Sequence, residues 1–215
     1  MQGINYDEFD SEILKLTLFG DSLVGKSCLM KSLMNIDIEN DYVPTQNPEY
    51  KEIKYTLNNG KTIAFNLWDI SGQEKFRALA SLIAKNTHGI ILVFDLTNRK
   101  SFEDIDIWMT LIKERLTCKC LVLFGNKADV EKGQWQVTRK EVEEYAAKNN
   151  LTYFETSVKT NQGIHEGISY IINEISLVYK EENKNGKNKK QKIISKVIVD
   201  DPCLGKKTIV NGVKK

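Results

Sequence analysis

The chain has 215 residues, of which 41% are hydrophobic and 28% charged, the composition of a globular protein with enough apolar side chains for one core. No apolar run approaches the roughly 20 residues that a membrane-spanning helix needs, and residues 1–10 are polar and acidic, so we expect neither a transmembrane segment nor a signal peptide. Residues 180–215 contain eleven lysines and four acids and therefore carry a net charge of +7. Since the whole chain has a net charge of +2, residues 1–179 carry −5. This negative charge argues against a nucleic-acid-binding surface on residues 1–179.

Apolar runs of strand length alternate with helical patterns along most of the chain. The predicted strands are 13–19, 50–57, 61–68, 89–95, 120–125 and 153–156. The predicted helices cover 25–34, a segment opened by a cap signal at 101–104, a segment opened by a capping box at 138–141, and 164–178. Asn and Gly at 58–60 indicate a hairpin between the second and third strands.

This alternation predicts an α/β fold with a doubly wound, mostly parallel six-stranded sheet and helices on both faces. The hairpin supplies the one antiparallel edge. We divide the chain into an N-terminal extension at 1–12, the domain at 13–180, and a basic, largely disordered tail at 181–215. The four cysteines lack disulfide or zinc spacing, so buried, reduced thiols in a cytoplasmic protein are expected.

Residues 20–27 read Gly-Asp-Ser-Leu-Val-Gly-Lys-Ser, the pattern of a phosphate-binding P-loop. They follow a buried strand and open a helix, where backbone N–H groups can surround phosphate oxygens. In this pattern Lys26 reaches the β- and γ-phosphates and the Ser27 hydroxyl ligates Mg²⁺. The loop does not by itself specify the base.

Later motifs resemble those of the Ras superfamily of small GTPases, most closely its Rab branch. Asn126, Lys127 and Asp129 match the family's N-K-x-D guanine motif, and residues 155–159 resemble its second base-binding loop. A carboxylate at Asp129 can accept hydrogen bonds from the two N–H donors on one edge of guanine, an edge that adenine lacks. The resemblance covers residues 13–179 and implies a P-loop NTPase G domain.

Residues 68–77 resemble the Rab form of switch II, which together with switch I responds to the γ-phosphate. By this resemblance Asp69 belongs to the Mg²⁺ shell, Gly72 donates its N–H to the γ-phosphate, and Gln73 is the catalytic residue that orients the attacking water. Thr45 stands at the switch I threonine. The resemblance implies metal ligation by Ser27, Thr45 and Asp69, and nucleotide binding by Ser22, Leu23, Val24, Gly25, Lys26, Ser27, Cys28, Tyr42, Thr45, Gly72, Asn126, Lys127, Asp129, Ser157, Val158 and Lys159.

The chain departs from the family pattern in both the switch and the phosphate-binding regions. Thr45 is followed by Gln46-Asn47-Pro48 where the family usually has glycine, and Ile38 replaces an aromatic that packs on guanine. Leu23 replaces a frequent P-loop glycine and is expected to crowd the space above the γ-phosphate. The aromatic triad of Rab effector surfaces corresponds here to Tyr50, Trp68 and Ile83, although the position of Trp68 fits core or edge packing equally well.

The resemblance implies a switch that binds GTP or GDP with Mg²⁺, hydrolyses GTP slowly and acts in intracellular vesicle or protein trafficking. Two alternatives stay open: a GTP-binding assembly module with little hydrolysis, and a P-loop kinase or ATPase. Expected partners are effector, exchange-factor and activating proteins, and no nucleic acid. Cys203 has twelve residues after it and so does not match a prenylation motif, and we expect no lipid anchor. The basic tail is expected to make at most weak contact with membranes. We therefore expect a cytoplasmic protein that protein partners recruit to membranes or other assemblies.

Overall fold

The computed structural model describes residues 14–37, 45, 47–57, 60, 62–73, 77–184, 198–199 and 208–209. The predicted extension at 1–12 therefore lies outside the described residues, as does most of the tail. Tyr42, Ile38, Gln46 and the asparagines of the hairpin turn also lie outside them.

Six strands form one sheet whose arrangement is mostly parallel. The strands are β1 (Leu14–Phe19), β2 (Glu49–Thr56), β3 (Thr62–Asp69), β4 (Gly89–Asp95), β5 (Cys120–Asn126) and β6 (Thr152–Glu155). Their order across the sheet is β2-β3-β1-β4-β5-β6, with β2 and β3 antiparallel and every other neighbouring pair parallel. The predicted doubly wound α/β sheet is confirmed.

Helices cover both faces of the sheet, which explains the continuous apolar sequences of β4 and β5. The helices are α1 (Lys26–Leu33), α2 (Arg77–Ile83), α3 (Arg99–Glu103), α4 (Ile105–Arg115), α5 (Arg139–Asn149) and α6 (Ile164–Lys184). One buried cluster joins α1 and α6 to one face, and a second joins α2, α3, α4 and α5 to the other. Alternate residues of β4 divide between the clusters, with Val93 in the first and Phe94 in the second.

The start of the helical segment after β4 differs from the prediction. The cap residue is Asn98, whose side chain accepts hydrogen bonds from Lys100 N and Ser101 N, and a second helix begins at Ile105. The Ser101 hydroxyl is used elsewhere, because it accepts a hydrogen bond from Asp95 N at the end of β4. The predicted capping box is confirmed: Thr138 accepts from Glu141 N while the Glu141 carboxylate accepts from Thr138 N.

The last helix continues beyond the predicted domain boundary at residue 180 and ends at Lys184. Farther along, Ile198–Val199 and Thr208–Ile209 form two short strands, β7 and β8, that pair antiparallel. Within the part of the chain that is described, no helix is both long and apolar enough to cross a bilayer.

Candidate nucleotide-binding site

The carboxyl ends of five strands bring the predicted motifs to one edge of the sheet. β1 leads into the P-loop, β3 ends at Asp69, β4 at Asp95, β5 at Asn126, and β6 leads to the loop that contains Ser157. Ligands of open α/β sheets bind at this edge, because the loops there come from parallel strands and meet in one place. The fold therefore assembles the site from segments that are far apart in the chain.

The P-loop residue Lys26 is buried at the start of α1. Its ammonium donates hydrogen bonds to the carbonyl oxygens of Gly20 at 2.9 Å and Asp21 at 2.6 Å. Burial lowers the pKa of Lys26 to about 8, and the nearby carboxylates of Asp69 and Asp21 oppose this shift. A cation removed from water in this way gains strongly from a phosphate placed beside it.

Three oxygen-bearing side chains from three separate segments meet beside Lys26. Ser27 Oγ donates a 2.6 Å hydrogen bond to Asp69 Oδ2, the Ser27 and Thr45 hydroxyls lie 2.7 Å apart, and Thr45 Oγ1 lies 3.3 Å from the same carboxylate oxygen. These are the residues predicted to hold Mg²⁺. Burial raises the pKa of Asp69 above its usual value, and the hydrogen bond from Ser27 opposes this shift.

The oxygen set fits a magnesium ion. Mg²⁺ takes one or two carboxylates together with hydroxyl, water and phosphate oxygens. Asp69 Oδ1 is buried and has no hydrogen-bond partner among the described residues, so one lone-pair-bearing oxygen of the carboxylate is left for a metal-bound water or the ion itself.

Asn126 ties the base motif to the P-loop. Its side-chain nitrogen donates a 2.8 Å hydrogen bond to the Val24 carbonyl, and the residue is 2% exposed. Gly25, which has φ 103°, allows this approach, since a Cβ at that position would collide with the Asn126 amide. Asn126 therefore connects two loops, in addition to any contact it makes with a base.

Asp129 is exposed, and its carboxylate is oriented by the neighbouring loop. Ser157, which is fully buried, donates a 2.6 Å hydrogen bond to Asp129 Oδ1. The backbone N–H groups of Lys159 and Thr160 in turn donate to Ser157 Oγ at 3.2 Å. An oriented carboxylate of this kind can accept from two N–H donors on one base edge.

Lys127, the second residue of the base motif, is held by an aspartate that belongs to none of the predicted motifs. Lys127 adopts φ 66°, and its ammonium lies 2.6 Å from Asp95 Oδ2. Asp95 is the last residue of β4 and pairs with Asn126 of β5 in the sheet register. Its position at the end of a buried strand was the available signal for a role in the site.

The predicted catalytic segment packs directly on the P-loop. Gly72 is so close to the backbone of Asp21 and Ser22 that a Cβ there would collide with both. Gln73 follows it and is half-buried. Arg77 contacts the Asp21 carboxylate at 3.1 Å, and the Trp108 indole donates to the same oxygen at 2.8 Å. The P-loop pattern alone indicated no role for the Asp21 side chain.

The remaining predicted residues lie around this centre. Val158 is half-buried against the core, and Ser22 and Cys28 are half-buried on either side of Lys26. Leu23 adopts φ 67°, a left-handed conformation that is unfavourable for a residue with a side chain, and is 56% exposed. Tyr42 lies outside the described residues.

The predicted effector positions lie on the β2–β3 surface and at the end of α2. The Tyr50 and Trp68 rings stack with centroids 4.7 Å apart, and Tyr50 is 53% exposed. The Lys15 ammonium lies 4.5 Å from the Trp68 ring centre and donates a 2.6 Å hydrogen bond to the Ile83 carbonyl. Lys15 therefore joins the aromatic pair to the end of α2.

The sequence is similar to those of known GTP-binding proteins. A sequence model of the Ras family matches residues 15–177. Ras-related protein Rab-13 of Rattus norvegicus is 36% identical over 166 residues, which are 77% of this chain and 81% of that protein. GTP-binding protein YPT1 of Saccharomyces cerevisiae is 33% identical over 83% of this chain and 86% of its own length. Ras-related protein SEC4 of Candida albicans is 33% identical over 81% and 82%. These similarities leave the kinase and ATPase alternative without support.

Proposed function

This chain belongs to the Ras family, within its Rab-like small GTPases, and from that premise we propose that it is a guanine-nucleotide switch that binds Mg²⁺ and hydrolyses GTP slowly. The observation that carries the proposal is the meeting of Ser27, Thr45 and Asp69 around one carboxylate oxygen. These residues belong to the P-loop, switch I and the start of switch II. A ligand that engages all three orders the switches together, and its loss releases them.

The phosphate end of the site depends on Lys26 and on switch II. The Lys26 ammonium neutralises charge on the phosphate oxygens, and Mg²⁺, when bound, shares that role through Ser27, Thr45 and Asp69. The Gly72 N–H is assigned to the γ-phosphate because Gly72 packs on the P-loop backbone at Asp21 and Ser22. Gln73, the next residue, orients the attacking water.

Guanine selectivity is assigned to Asp129, with Ser157 as its orienting partner. The hydrogen bond from Ser157 uses one lone pair of Asp129 Oδ1 and fixes the orientation of the carboxylate. The remaining lone pairs accept from the two N–H donors of guanine, whereas adenine would leave them unpaired. The backbone around Val158 and Lys159 is assigned to the guanine carbonyl.

We assign the switch regions and the surface formed by Tyr50, Trp68 and Ile83 to effector, exchange-factor and activating proteins. A stacked, half-exposed aromatic pair supplies a rigid apolar contact at low entropic cost. Rab-like membership makes intracellular vesicle or protein transport the proposed pathway. The proposed location is the cytoplasm, with recruitment to membranes by protein partners.

Leu23 favours a second candidate, a GTP-bound assembly module with little hydrolysis. It places an exposed apolar side chain in the loop that surrounds the phosphates, in a conformation that a glycine would adopt without strain. A side chain there hinders a partner's arginine from reaching the γ-phosphate. Single-turnover hydrolysis with and without candidate activating proteins separates the two functions.

The proposal is tested by measuring GDP and GTP affinity in the presence and absence of Mg²⁺. We expect both nucleotides to bind the unaltered chain, GTP to depend more strongly on Mg²⁺, and Ser27→Asn to favour GDP. Thr110→Asn, which also replaces a hydroxyl by an amide but at an exposed position on α4, is the matched control and is expected to leave both affinities unaltered. Equal, unchanged affinities in Ser27→Asn would contradict the assignment of the metal site.

A further inference from the structure

The P-loop residue Asp21 contacts the switch II segment at two points. Its backbone packs against Gly72, where no Cβ could be accommodated. Its carboxylate oxygen Oδ1 lies 3.1 Å from the guanidinium nitrogen Nη2 of Arg77, the first residue of α2. Gln73 lies between these two points. Both ends of the segment that contains Gln73 are therefore attached to the same P-loop residue.

The contact between Asp21 and Arg77 is shielded from solvent and fixed in direction. The two side chains are 17% and 18% exposed. Asp21 Oδ1 accepts a second hydrogen bond, of 2.8 Å, from the indole nitrogen of Trp108, which is buried in α4. Partly buried, multiply hydrogen-bonded ion pairs resist replacement by water more than exposed pairs do, because removal of one partner leaves the other charge uncompensated.

Arg77 is also held by the amino end of α4. Its Nη2 lies 3.3 Å from Asp104 Oδ2, and its guanidinium lies 5.2 Å from the centre of the Trp108 ring. Asp104 is itself 2.7 Å from the Lys100 ammonium. The Arg77 charge thus compensates two carboxylates, the half-buried Asp21 on the P-loop and the buried Asp104 that precedes α4. Movement of the guanidinium out of this position would break both contacts.

We propose that Arg77 is a positioning residue for Gln73, which holds the start of α2 on Asp21 so that Gly72 and Gln73 stay at the γ-phosphate end of the P-loop. This role rests on the proposed function of the nucleotide site. A purely structural role for Arg77 would lower thermal stability and weaken GDP and GTP binding together. A positioning role acts on hydrolysis and on the order of the Gly72–Gln73 segment, while GDP affinity, which does not depend on that segment, is retained.

The test compares Arg77→Met, Asp21→Asn and the double variant with the unaltered chain, all in the full-length protein. Arg99→Met is the matched control, since Arg99 forms an exposed ion pair with Glu141 on α5. Hydrogen exchange of peptides that contain Gly72 and Gln73 is followed in protein loaded with a non-hydrolysable GTP analogue. Single-turnover hydrolysis of GTP and GDP affinity are measured on the same samples.

In Arg77→Met we expect hydrolysis to fall by about tenfold or more, because misplacement of a catalytic group by about 1 Å costs up to about a hundredfold. Exchange at Gly72 and Gln73 should accelerate, and GDP affinity should change by less than about threefold. The double variant should lose no more than Arg77→Met, because the side chain of Asp21 acts on the Gln73 segment through Arg77. Arg99→Met should behave as the unaltered chain.

Unchanged exchange and hydrolysis in Arg77→Met, with normal nucleotide binding, would overturn the positioning role alone. So would losses of hydrolysis and GDP affinity of the same size, or additive losses in the double variant. Failure of the unaltered chain to bind guanine nucleotide would instead overturn the proposed function, and the positioning role with it.

Discussion

The side-chain nitrogen of Asn126 lies 2.8 Å from the backbone carbonyl oxygen of Val24, to which it donates a hydrogen bond. This contact joins the base motif to the P-loop across 102 positions of the chain. Val24 and Asn126 are both buried, so loss of this hydrogen bond removes a partner from a carbonyl that is shielded from water. The Asn126 side chain therefore links the phosphate-binding half of the site to the base-binding half.

We expect Asn126→Ala to lower the free energy of unfolding by about 1–3 kcal/mol, the cost of one unpaired buried polar group. Guanine and xanthine nucleotides should both bind more weakly, since the change displaces the loops without altering the base-reading carboxylate. Denaturant unfolding and nucleotide titration measure the two effects. Asn149→Ala, which removes a similar bond to the Tyr145 carbonyl at the end of α5, is the control and should cost less. Equal costs in the two variants would contradict this account.

Asp129→Asn should weaken GTP binding by at least about tenfold and shift preference toward xanthine nucleotides, because an acceptor at the base edge becomes a donor. The Ser157 hydroxyl can still donate to the carbonyl oxygen of the new amide, so the loop geometry is retained. Competition between GTP and xanthosine triphosphate measures the shift. Asp106→Asn, which alters an aspartate on α4 that accepts from Tyr145, is the control. An Asp129→Asn variant that binds GTP as tightly as the unaltered chain would contradict the assignment of guanine selectivity to Asp129.

Intrinsic hydrolysis should be slow, on the order of 10⁻⁴ s⁻¹ or slower, as for a GTPase that lacks an arginine at the γ-phosphate. Residues 36–54 contain no arginine, and Arg77 is engaged by Asp21 and Asp104. Gln73→Leu should lower the rate further, while Gln134→Leu, at an exposed position, should not. Single-turnover measurements decide this. A rate near about 1 s⁻¹ without a partner would mean that the chain supplies its own activating group.

Cys118 should resist alkylation near neutral pH in the folded protein and react after unfolding in guanidinium chloride. Burial raises its pKa from 9.0 to about 12, so the reactive thiolate is scarce. Among the cysteines that the structure describes, Cys28 is half-buried and should react before Cys118. Mass spectrometry of the labelled peptides measures the order, and equal labelling of Cys118 in folded and unfolded samples would contradict its burial.

The same pKa shift has a consequence for stability. Between pH 9 and 12 the unfolded chain loses the Cys118 proton while the folded chain keeps it, so the unfolded state binds fewer protons there. The contribution of this group to stability is therefore full below pH 9 and falls as the pH rises toward 12. Burial moves the pKa of Cys120 in the same direction.

The elements and most motifs were predictable from sequence because their signals are local. Buried parallel strands are continuous apolar runs, and β4 coincides with its predicted range of 89–95. The helix start after β4 was wrong, because Asn98 and Ser101 are both good capping residues and only the packing of Ser101 against Asp95 distinguishes them. The positions of Tyr42 and of the 1–12 extension stay predictions.

The sequence by itself determined the order of strands and helices along the chain, the P-loop and the guanine motif, because each depends on a short run of neighbouring residues. Only the tertiary structure decided which distant side chains meet: Ser27 with Asp69, Lys127 with Asp95, and Asp21 with Arg77 and Trp108. Such contacts depend on strand register and on how each helix lies against the sheet. These are set by the burial of many apolar side chains at once, so no single motif encodes them.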